Sequence, residues 1–594
     1  MAESPRSFLL VPAGGAGDGV GHLARCIRLA RRLGPRVTFL SSQLDPQARG
    51  FLTENLRAGK GRARLPVLAS IDRGAFWDII LLDRRETPRS TLEGLSRHGA
   101  VVCLDEGGEA REYASFLVDT LPNLRSDSPP NVSSPSFLEL PRRVRRGVTG
   151  RIRKVLVSFG GEDGGDLSGR MVDAIREEGL FPDARVTLVE GPLFARRSWP
   201  KGVTVLKGVR RLAAVIAGHD LLFTHFGMTA FEALAVGVPA ILLNPTEYHR
   251  RLSAAAGIPE IGVRIPNLGK LRDLLGDPRK MRDLVEGFNA NIGAKRGGRL
   301  ARLLLSLDLR GASACPVCAS SGHRVIARFP DRTYRHCARC GIEYLQPFAA
   351  ARKEYGKEYF SSEYRAQYGR TYLEDFDSIK QASRARIELL LRIGAKAKGG
   401  ALVDVGCAFG PFLDAAREAG LPCFGLDVSA QAIGYVKKKL RIPAVRAAFE
   451  EAAQASFPHQ ISCVTLWYVL EHFRDTARAL RKAAALLPRG GLFAFSTPNG
   501  RGISARKGIG RFLEKSPPDH FTIFSPRGLR ALLAVYGFQL RVVRVTGHHP
   551  ERFPGFLGRA AGVSPPVHRL LLPISRLLGL GDTFEAYAVK RDLS

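Results

Sequence analysis

Short apolar runs alternate with longer stretches of helical spacing through most of the chain. In the first 120 residues the runs fall at positions 8–11, 37–40, 79–82 and 101–104. Strands of an open parallel sheet are buried on both faces and are separated by helices, which produces this rhythm. The rhythm resumes at residue 155 and again near residue 400. The pattern therefore predicts three strand–helix domains of the α/β class.

Two kinds of interruption divide these domains. A polar, proline-rich passage at 126–135 and a basic run at 142–146 indicate a joint between the first two. A block with four cysteines and an aromatic, charged helical stretch precede the third. The predicted boundaries are a first lobe at 1–125, a linker at 126–152, a second lobe at 153–310, a cysteine block at 313–347, a helical connector at 348–398 and a final domain at 399–594.

The composition is that of an ordinary globular protein, with 45% hydrophobic and 24% charged residues. This balance excludes a disordered, collagen-like or coiled-coil chain. No stretch reaches the roughly 18 apolar residues of a membrane helix, and the first residues lack the apolar core of a signal peptide. We therefore predict a cytoplasmic protein. Residues 567–579 would suit peripheral membrane contact, but their internal proline and the strand-like residues after them favour a packed terminal element.

Basic residues exceed acidic residues by 89 to 56, which gives a formal net charge of +33. The excess is spread over both halves of the chain and is not gathered in a tail. Two interpretations stay open: an arginine-rich solvated surface, or the binding of an acidic ligand such as a nucleotide, a sugar phosphate or RNA.

The first strand runs into a glycine-rich loop that includes Gly19 and Gly21 and closes at His22. Glycines between a strand and a helix let an anionic ligand approach the free N–H groups of the helix. The second strand ends in serines and lacks the acidic residue of a dinucleotide site, which excludes NAD. A histidine at this position suits general acid–base catalysis near neutral pH. The alternative is a histidine that caps the helix.

The second lobe repeats this arrangement, with Gly160 and Gly161 following the run at 155–159. Further on, Thr229 and Glu232 stand three residues apart and share one face of a predicted helix. At that spacing a hydroxyl can meet a phosphate while a carboxylate accepts the ribose hydroxyls of a nucleotide. The alternative is a capping box, in which the pair only satisfies the start of the helix.

Three motifs in this order resemble the two-lobed GT-B-type family of UDP-sugar hydrolases of pseudaminic acid synthesis, together with related spore-coat polysaccharide proteins. They are G-V-G-H at 19–22, V-C-L-D-E-G-G at 102–108 and V-S-F-G-G-E-D at 157–163. The resemblance covers about the first 305 residues. It implies two doubly wound lobes, catalysis by His22 and nucleotide binding by Thr229 and Glu232. The run H-F-G-M at 225–228 departs from the family's G-G-S/T, so hydrolysis, glycosyl transfer and simple binding all stay open.

Four of the nine cysteines form two C-x-x-C pairs with 18 residues between them. In a reducing compartment four thiolates at this spacing predict a tetrahedral zinc site. No histidine or carboxylate has the spacing of a further ligand in a C-x-x-C pair, so the zinc is predicted to be structural, in a small zinc ribbon. A ribbon that reads nucleic acid is the functional alternative. The predicted ligands are Cys315, Cys318, Cys337 and Cys340.

Near residue 400 an apolar strand, an acidic residue, a glycine loop and a helix start follow one another. Asp404, Gly406 and Gly410 give the spacing D-x-G-x-x-x-G, and Asp427 ends the next strand. A glycine loop with a carboxylate at the end of the second strand is how such folds hold an adenosyl ribose. The loop lacks the spacing of a pyrophosphate cradle, so it favours S-adenosylmethionine (SAM) as cofactor.

Residues 385–594 resemble the class I methyltransferase family, whose fold is Rossmann-like. Later segments match it in order: L-W-Y-V-L-E-H at 466–472, L-P-R-G-G-L at 487–492, S-T-P-N at 496–499 and D-H-F-T-I-F-S-P at 519–526. A zinc ribbon ahead of such a domain recurs in this group. The resemblance implies that Asp404, Gly406 and Gly410 line the methionine end of SAM, that Asp427 holds the ribose and that Glu450 approaches the adenine.

The catalytic residue of this domain is less defined by pattern. Methyl transfer is an in-line displacement that depends mostly on positioning, although O- or C-methylation can need a base. His520 lies on the segment expected to close over the substrate and is the candidate base, with a packed loop histidine as the alternative. We assign His472 a supporting role for the helix after the fourth strand. Ala408 and Ser462 replace a glycine and an aspartate of the family pattern.

Together these features predict a bifunctional enzyme of surface-glycan and nucleotide-sugar metabolism. The final domain would methylate a sugar or sugar-linked substrate, and the first two lobes would act on a UDP-sugar or another nucleotide-sugar. The alternative is an RNA methyltransferase that uses the ribbon and the basic surface. The fourth strand lacks the N/D-P-P-aromatic exit of amino-methylating nucleic-acid enzymes, which disfavours nucleic acid as a partner. A third hypothesis is an inactive first half that only docks a glycan precursor.

Overall fold

The computed structural model describes residues 6–14, 21–57, 65–125, 127–144, 151–161, 163, 165–191, 194, 198–209, 211–292, 297–309, 314–348, 364–394 and 399–591. The chain divides into two compact units. The N-terminal unit comprises Met1–Ser313 with Phe329–Asp331, and the C-terminal unit comprises Ala314–Arg328 with Arg332–Ser594.

The first sheet of the N-terminal unit contains seven strands: β1 (Phe8–Pro12), β2 (Val37–Leu40), β3 (Val67–Leu68), β4 (Trp77–Asp83), β5 (Gly99–Leu104), β6 (Phe116–Asp119) and β7 (Val132–Ser133). They are parallel in the order β3-β2-β1-β4-β5-β6-β7. The four predicted apolar runs coincide with β1, β2, β4 and β5, so the predicted open parallel sheet is confirmed. Its helices are α1 (Gly21–Leu33), α2 (Pro46–Arg57) and α3 (Arg89–Ser96).

The second sheet of this unit contains six strands: β8 (Lys154–Val157), β9 (Arg185–Glu190), β10 (Val203–Lys207), β11 (Leu221–Thr224), β12 (Ala240–Asn244) and β13 (Glu260–Val263). They are parallel in the order β10-β9-β8-β11-β12-β13. The accompanying helices are α4 (Leu167–Glu177), α5 (Leu212–Ala217), α6 (Met228–Val236), α7 (Glu247–Ala255), α8 (Leu268–Leu275) and α9 (Pro278–Ile292). A last helix, α10 (Arg299–Ser306), contacts α1 of the first lobe.

The C-terminal unit begins with the cysteine block and its strands β14 (His323–Phe329), β15 (Arg332–Cys337) and β16 (Glu343–Pro347). Two helices, α11 (Tyr364–Tyr368) and α12 (Phe376–Ile393), follow, and α12 packs against α13 (Pro411–Glu418). Residues 349–363 and 395–398 of the predicted connector lie outside the described residues.

The main sheet of this unit contains β17 (Ala401–Val405), β18 (Cys423–Asp427), β19 (Ala444–Arg446), β20 (Ile461–Trp467), β21 (Leu492–Pro498), β23 (Phe538–Thr546) and β24 (Thr583–Lys590), while the short β22 (Thr522–Ile523) belongs to the cysteine-block sheet. The order is β19-β18-β17-β20-β21-β24-β23, with β24 antiparallel to both neighbours. This confirms the predicted Rossmann-like fold and the predicted terminal strand.

Seven further helices accompany this sheet among the described residues: α14 (Ala430–Tyr435), α15 (Thr476–Leu486), α16 (Ile503–Lys507), α17 (Ile509–Lys515), α18 (Leu529–Ala534), α19 (Gly555–Val563) and α20 (Pro565–Leu577). Within the described ranges of both units, none of the helices has the length and apolar character needed to cross a membrane.

Candidate active sites

The strand order of each main sheet reverses at one point: between β1 and β4, between β8 and β11, and between β17 and β20. Loops that leave the carboxyl ends of two such strands diverge and open a crevice, where these folds bind ligands. Three groups of predicted site residues lie at these reversal points. His22 follows β1, Gly160 and Gly161 follow β8, and the loop from Gly406 to Gly410 follows β17.

The loop after β17 winds through left-handed backbone conformations. The φ angles are +68° at Gly406, +49° at Ala408 and +81° at Gly410. A Cβ at Gly406 would lie 2.4 Å from Cγ2 of Val469, so only glycine fits there. Ala408 holds the same kind of conformation at a cost of about 1 kcal/mol. The departure from the family pattern at Ala408 therefore leaves the loop geometry intact.

Two buried carboxylates flank this loop. Oδ2 of Asp427 accepts a hydrogen bond from the Ala408 amide (2.9 Å) and Oδ1 accepts one from the Ser429 amide (2.8 Å). Oδ1 of Asp404 accepts a hydrogen bond from the hydroxyl of Thr465 (2.7 Å). Burial raises the pKa of Asp427, and burial raises the pKa of Asp404 to about 7. The crevice thus presents oxygen acceptors, and residues 404–412 contain no lysine or arginine.

Aromatic side chains pack against the same loop. The Phe409 ring lies 5.9 Å from that of Tyr372 and 5.3 Å from that of Tyr435. Tyr372 comes from the segment before β17, so that segment contributes to the loop's surroundings. Glu450 is half-buried in the turn after β19, and burial raises its pKa.

Four ionisable side chains meet where β20 ends. Nδ1 of His472 lies 3.3 Å from Oδ2 of Asp519, and the rings of His472 and His520 meet edge to face with centroids 4.7 Å apart. Glu471 is only 1% exposed, and burial raises its pKa to about 7. Burial lowers the pKa of His472, but the hydrogen bond to Asp519 and the charge of Glu471 outweigh it and raise the pKa overall.

The sequence analysis identified His520 but missed two of its neighbours. Glu471 stands inside the quoted L-E-H segment and Asp519 stands directly before His520, so both were visible as motif letters. The two motifs, however, do not indicate that Asp519, 47 residues after His472, would lie beside His472 in the fold. Glu471, His472 and His520 also bring ligand atoms within 4.8 Å of one another, a spacing that a cation can bridge.

The four predicted zinc ligands converge. One ligand atom from each lies within 4.8 Å of the others, with Sγ–Sγ distances of 3.6 Å for Cys315–Cys340 and 3.5 Å for Cys318–Cys337. Tetrahedral zinc with bonds of about 2.3 Å separates its sulfur ligands by roughly 3.8 Å. The cluster therefore has the size of a zinc site.

The cysteine block is joined to the histidine segment through backbone pairing. Tyr344 of β16 pairs with Thr522 of β22, and the Leu345 amide donates to the Phe521 carbonyl at 2.9 Å. The Phe521 amide in turn donates to the Glu471 carbonyl at 2.7 Å. The residues next to His520 are therefore held between the ribbon strand and the end of β20.

In the N-terminal unit, His22 has a carboxylate partner. Its Nδ1 lies 2.6 Å from Oδ1 of Asp83, which ends β4 and is fully buried. Arg25, one helical turn after His22, donates from Nε to Oδ2 of the same carboxylate (2.8 Å) and from Nη1 to Asp105 (2.5 Å). Burial alone would raise the pKa of Asp83, but the charges of Arg25 and His22 lower it well below its usual range. The ionised form of Asp83 is thus favoured beside the His22 ring, and the sequence analysis missed this pairing.

The second lobe places two further histidines at its reversal point. Nε2 of His225, directly after β11, lies 3.1 Å from the Phe159 carbonyl oxygen, and the His225 and His249 rings are 6.2 Å apart. Arg85 of the first lobe reaches across to Nε2 of His249 (3.0 Å). Burial, Arg85 and His225 lower the pKa of His249 to about 4. The crevice of this unit thus contains imidazoles and a guanidinium, which suits an anionic ligand.

The remaining predicted residues of this unit lie around the same crevice, except that Gly19 falls outside the described residues. Gly160 has φ +89°, and a Cβ there would lie 3.3 Å from the His225 ring. Thr229 is in the first turn of α6, whose N-cap is Gly227 without a side-chain cap, so the capping-box alternative is not what the structure shows. Glu232 is buried and pairs with Arg28 at 3.2 Å.

Known proteins are similar to parts of this chain. Residues 378–543 match the model of a family described as a methyltransferase domain. An uncharacterized protein from Methanocaldococcus jannaschii is 28% identical over 108 residues, which are 16% of this chain and 22% of that protein. A ubiquinone biosynthesis O-methyltransferase from Methylococcus capsulatus is 33% identical over 101 residues, which are 16% of this chain and 43% of that enzyme.

Another ubiquinone biosynthesis O-methyltransferase, from Aliivibrio fischeri, is 23% identical over 33% of this chain and 88% of its own. A solved SAM-dependent methyltransferase from Archaeoglobus fulgidus aligns with 38% of this chain and 98% of its own, at 17% identity and a TM-score of 0.28. The chain spans less than half the length of the first two curated relatives it matches.

These matches confirm the methyltransferase prediction: the C-terminal unit contains a SAM-dependent methyltransferase domain. The resemblance of the N-terminal unit to UDP-sugar hydrolases stays a prediction, as do the zinc ribbon and the roles of the individual site residues.

Proposed function

We propose that the C-terminal unit transfers the methyl group of SAM to an oxygen of a sugar or sugar-linked acceptor. The observation that carries the proposal is the crevice between β17 and β20, which combines the left-handed glycine loop, Asp427 and the His472–Asp519 pair. The relatives named O-methyltransferases support oxygen as the accepting atom.

The residues present fit SAM. Asp427, at the end of β18 and bound to the loop amide of Ala408, is positioned to accept the ribose hydroxyls. The cofactor is a sulfonium cation without phosphates, and the loop offers carboxylates and no basic side chain. When bound, SAM would supply an electrophilic methyl group. Asp404, Gly406 and Gly410 would hold its methionine end, and Glu450 would approach the adenine.

The chain's own contribution to the chemistry is to accept a proton. An alcohol is a weak nucleophile, so its proton must leave as the new bond to carbon forms. We place the base at His472 instead of the predicted His520, because Nδ1 of His472 lies 3.3 Å from Oδ2 of Asp519 and a carboxylate orients the base in this way in hydrolase triads. His520, in edge contact with His472, would then hold the acceptor hydroxyl or share the proton.

We further propose that the cysteine cluster binds a structural zinc ion. Its role would be to hold β16 in register with β22, and through β22 to position Asp519 and His520. The pairing of Tyr344 with Thr522 and the Leu345–Phe521 hydrogen bond support this role.

For the N-terminal unit we propose action on a nucleotide-sugar, with His22 as the acid–base group and Asp83 as its positioning residue. The fully buried Asp83 at 2.6 Å from Nδ1 supports this. Gly21, Gly160, Gly161, Thr229 and Glu232 surround the crevice where the nucleotide would bind, and Gly19 is proposed from sequence alone.

Methyl-labelled SAM offered to the full chain, with pooled UDP- and CMP-sugars beside total RNA, tests the first proposal. We expect label in the sugar fraction, and loss of that label in the His472→Ala variant. Label in RNA would overturn the sugar acceptor and establish the RNA methyltransferase alternative. Label in neither fraction would also exclude free nucleotide-sugars and leave a lipid-linked or protein-bound glycan as the acceptor to test.

Release of sugar from UDP-sugars, measured without SAM, tests the N-terminal proposal. His22→Ala and Asp83→Asn should abolish release. His98→Ala is the matched control. His98 directly precedes β5, so it lies at the amino end of that strand, whereas His22 lies beyond the carboxyl end of β1, and the His98 ring contacts the Ala75 carbonyl. Unchanged release in His22→Ala would show that His22 is not the catalytic group. Binding without turnover in the wild type would support a docking role for this unit.

A further inference from the structure

Exposed apolar side chains concentrate on the last two helices of the C-terminal unit. Among the described residues, 17 large hydrophobic side chains are exposed, and seven of them fall between positions 556 and 578. We call this set the α19–α20 face. Its members are Phe556, Leu557, Val563, Leu570, Ile574, Leu577 and Leu578.

The spacing on α20 places these residues on one side of the helix. Leu570, Ile574 and Leu577 follow one another at four and three residues, and they are 72%, 44% and 87% exposed. Leu571 and Ser575, which lie roughly a third of a turn away around the helix, are buried in the unit. The helix therefore packs through another face and leaves this apolar stripe exposed.

Positive charge borders this face. Arg559, Arg569 and Arg576 are exposed on the same two helices, and residues 553–581 contain no aspartate or glutamate. An apolar stripe flanked by arginines and free of acidic residues is the pattern of a helix that lies in a membrane interface. Each such cation near an anionic lipid surface adds to the attraction.

A second copy of the chain fits this face less well. In a two-fold symmetric contact the same patch meets itself, so the arginine border of one copy would oppose that of the other. Like charges in such a position disfavour association. The phosphates of a lipid bilayer instead complement the border while its acyl chains cover the apolar stripe.

We infer that the α19–α20 face docks the C-terminal unit on an anionic lipid bilayer. The leucine, isoleucine and phenylalanine side chains enter the interface, and Arg559, Arg569 and Arg576 meet lipid phosphates. The helices lie on the surface and do not cross it, in agreement with their length. The inference is independent of the proposed methyl transfer and nucleotide-sugar activities.

Flotation of the full chain with vesicles tests this inference. One set is phosphatidylcholine alone, and the other contains about one third phosphatidylglycerol. We expect binding to the anionic vesicles, and binding to the neutral vesicles that is about a hundredfold weaker, since three arginines contribute. Absence of flotation with anionic vesicles would overturn the inference.

Matched variants locate the contact. The double variant Leu570→Ser with Leu577→Ser should lose anionic-vesicle binding, whereas Val535→Ser, which removes a side chain 71% exposed elsewhere in the same unit, should retain it. Arg569→Gln with Arg576→Gln should weaken binding about thirtyfold, and Arg541→Gln should not. Circular dichroism checks that each variant is folded. Equal loss in Val535→Ser would overturn the assignment to this face. If the wild type instead forms a dimer and does not bind vesicles, and the double variant Leu570→Ser with Leu577→Ser is a monomer, the face would be assigned to a second copy of the chain.

Discussion

The imidazole of His472 and the carboxylate of Asp519 lie 3.3 Å apart although 47 positions separate them in the chain. His472 ends the turn after β20, and Asp519 precedes the short strand β22, which pairs with the cysteine block. The pair therefore depends on two separate contacts of the segment 521–523: β22 pairs with the ribbon strand β16, and the Phe521 amide donates to the carbonyl of Glu471. This arrangement links the predicted zinc site to the predicted methyl-acceptor site.

Replacing His472 by alanine should lower kcat for methyl transfer about a hundredfold or more, because no imidazole is left to take the proton of the substrate hydroxyl. Asp519→Asn should give a smaller loss, since the ring stays but its orientation is no longer favoured. The affinity for SAM, measured by calorimetry, should be unchanged in both variants. Equal activity of wild type and His472→Ala would exclude His472 as the base. Sensitivity of the wild type to a chelator that leaves the zinc of the cysteine cluster bound, followed by rescue with a divalent cation, would instead indicate a metal held by Glu471, His472 and His520.

Removal of the Asp427 carboxylate should weaken SAM binding about tenfold to a hundredfold, since a charged acceptor of hydrogen bonds is lost. Isothermal titration of Asp427→Ala with SAM measures the effect. Asp377→Ala is the matched control, because Asp377 is exposed in the first turn of α12 and is not among the proposed cofactor-binding residues. An unchanged dissociation constant in Asp427→Ala would show that the ribose binds elsewhere.

Substitution of Gly406 by alanine should destabilise the C-terminal unit by about 2–5 kcal/mol. The left-handed backbone accounts for about 1–2 kcal/mol of this, and the clash of the new Cβ with Val469 adds about 1–3 kcal/mol. Gly420→Ala separates the two causes, because Gly420 has φ +72° but a Cβ there meets no atom within 4 Å. Chemical denaturation should show the larger loss for Gly406→Ala, and equal losses would contradict the close contact at Val469.

Cys340→Ser should remove the metal and lower methyl transfer together. The purified wild type should contain one zinc per chain by elemental analysis, and the variant should contain none. Because β16 would no longer hold β22, hydrogen exchange at Phe521 and Thr522 should become faster. Cys423→Ser, which alters a thiol outside the cluster, should keep both zinc and activity. A Cys340→Ser variant with full activity would contradict the positioning role of the ribbon.

The buried His249 predicts that the N-terminal unit loses stability in acid. Burial, Arg85 and His225 lower the pKa of this imidazole from 6.5 to about 4 in the folded protein. Between these two values the unfolded chain binds more protons than the folded chain, so stability falls as the pH falls from 6.5 towards 4. Hydrogen exchange in α7 measured across this range should show the decline, and His249→Gln should reduce it. His459→Gln, at an exposed site of the other unit, should leave the decline in α7 unchanged.

Local patterns along the chain determine much of the fold. The apolar runs at 8–11, 37–40, 79–82 and 101–104 each coincide with a strand, because a buried parallel strand needs a continuous run of apolar residues. The glycine loop at Gly406 and Gly410 is equally predictable, since the positive φ angles there exclude most side chains. The family match over 378–543 confirmed the enzyme class that this loop indicated.

Contacts between distant segments were decided only in three dimensions. The sequence predicted His22 and His520 as candidates, but strand order brings Asp83 to His22, and the pairing of β22 with β16 accompanies the return of His520 to Glu471 and His472. Spacing along the chain carries no information on which strand ends adjoin.

The terminal helices α19 and α20 also combine features set by the sequence with features set by the tertiary structure. Their composition allowed either a packed element or a membrane-surface segment. The amphipathic spacing of Leu570, Ile574 and Leu577 was present in the sequence, yet their exposure depends on which face the rest of the unit covers. The sequence thus determined the strands, the glycine loops and the cysteine spacing, because these depend on residues close together in the chain. The tertiary structure decided the partners of the catalytic candidates and the exposed face of α20, because these depend on which distant segments pack together.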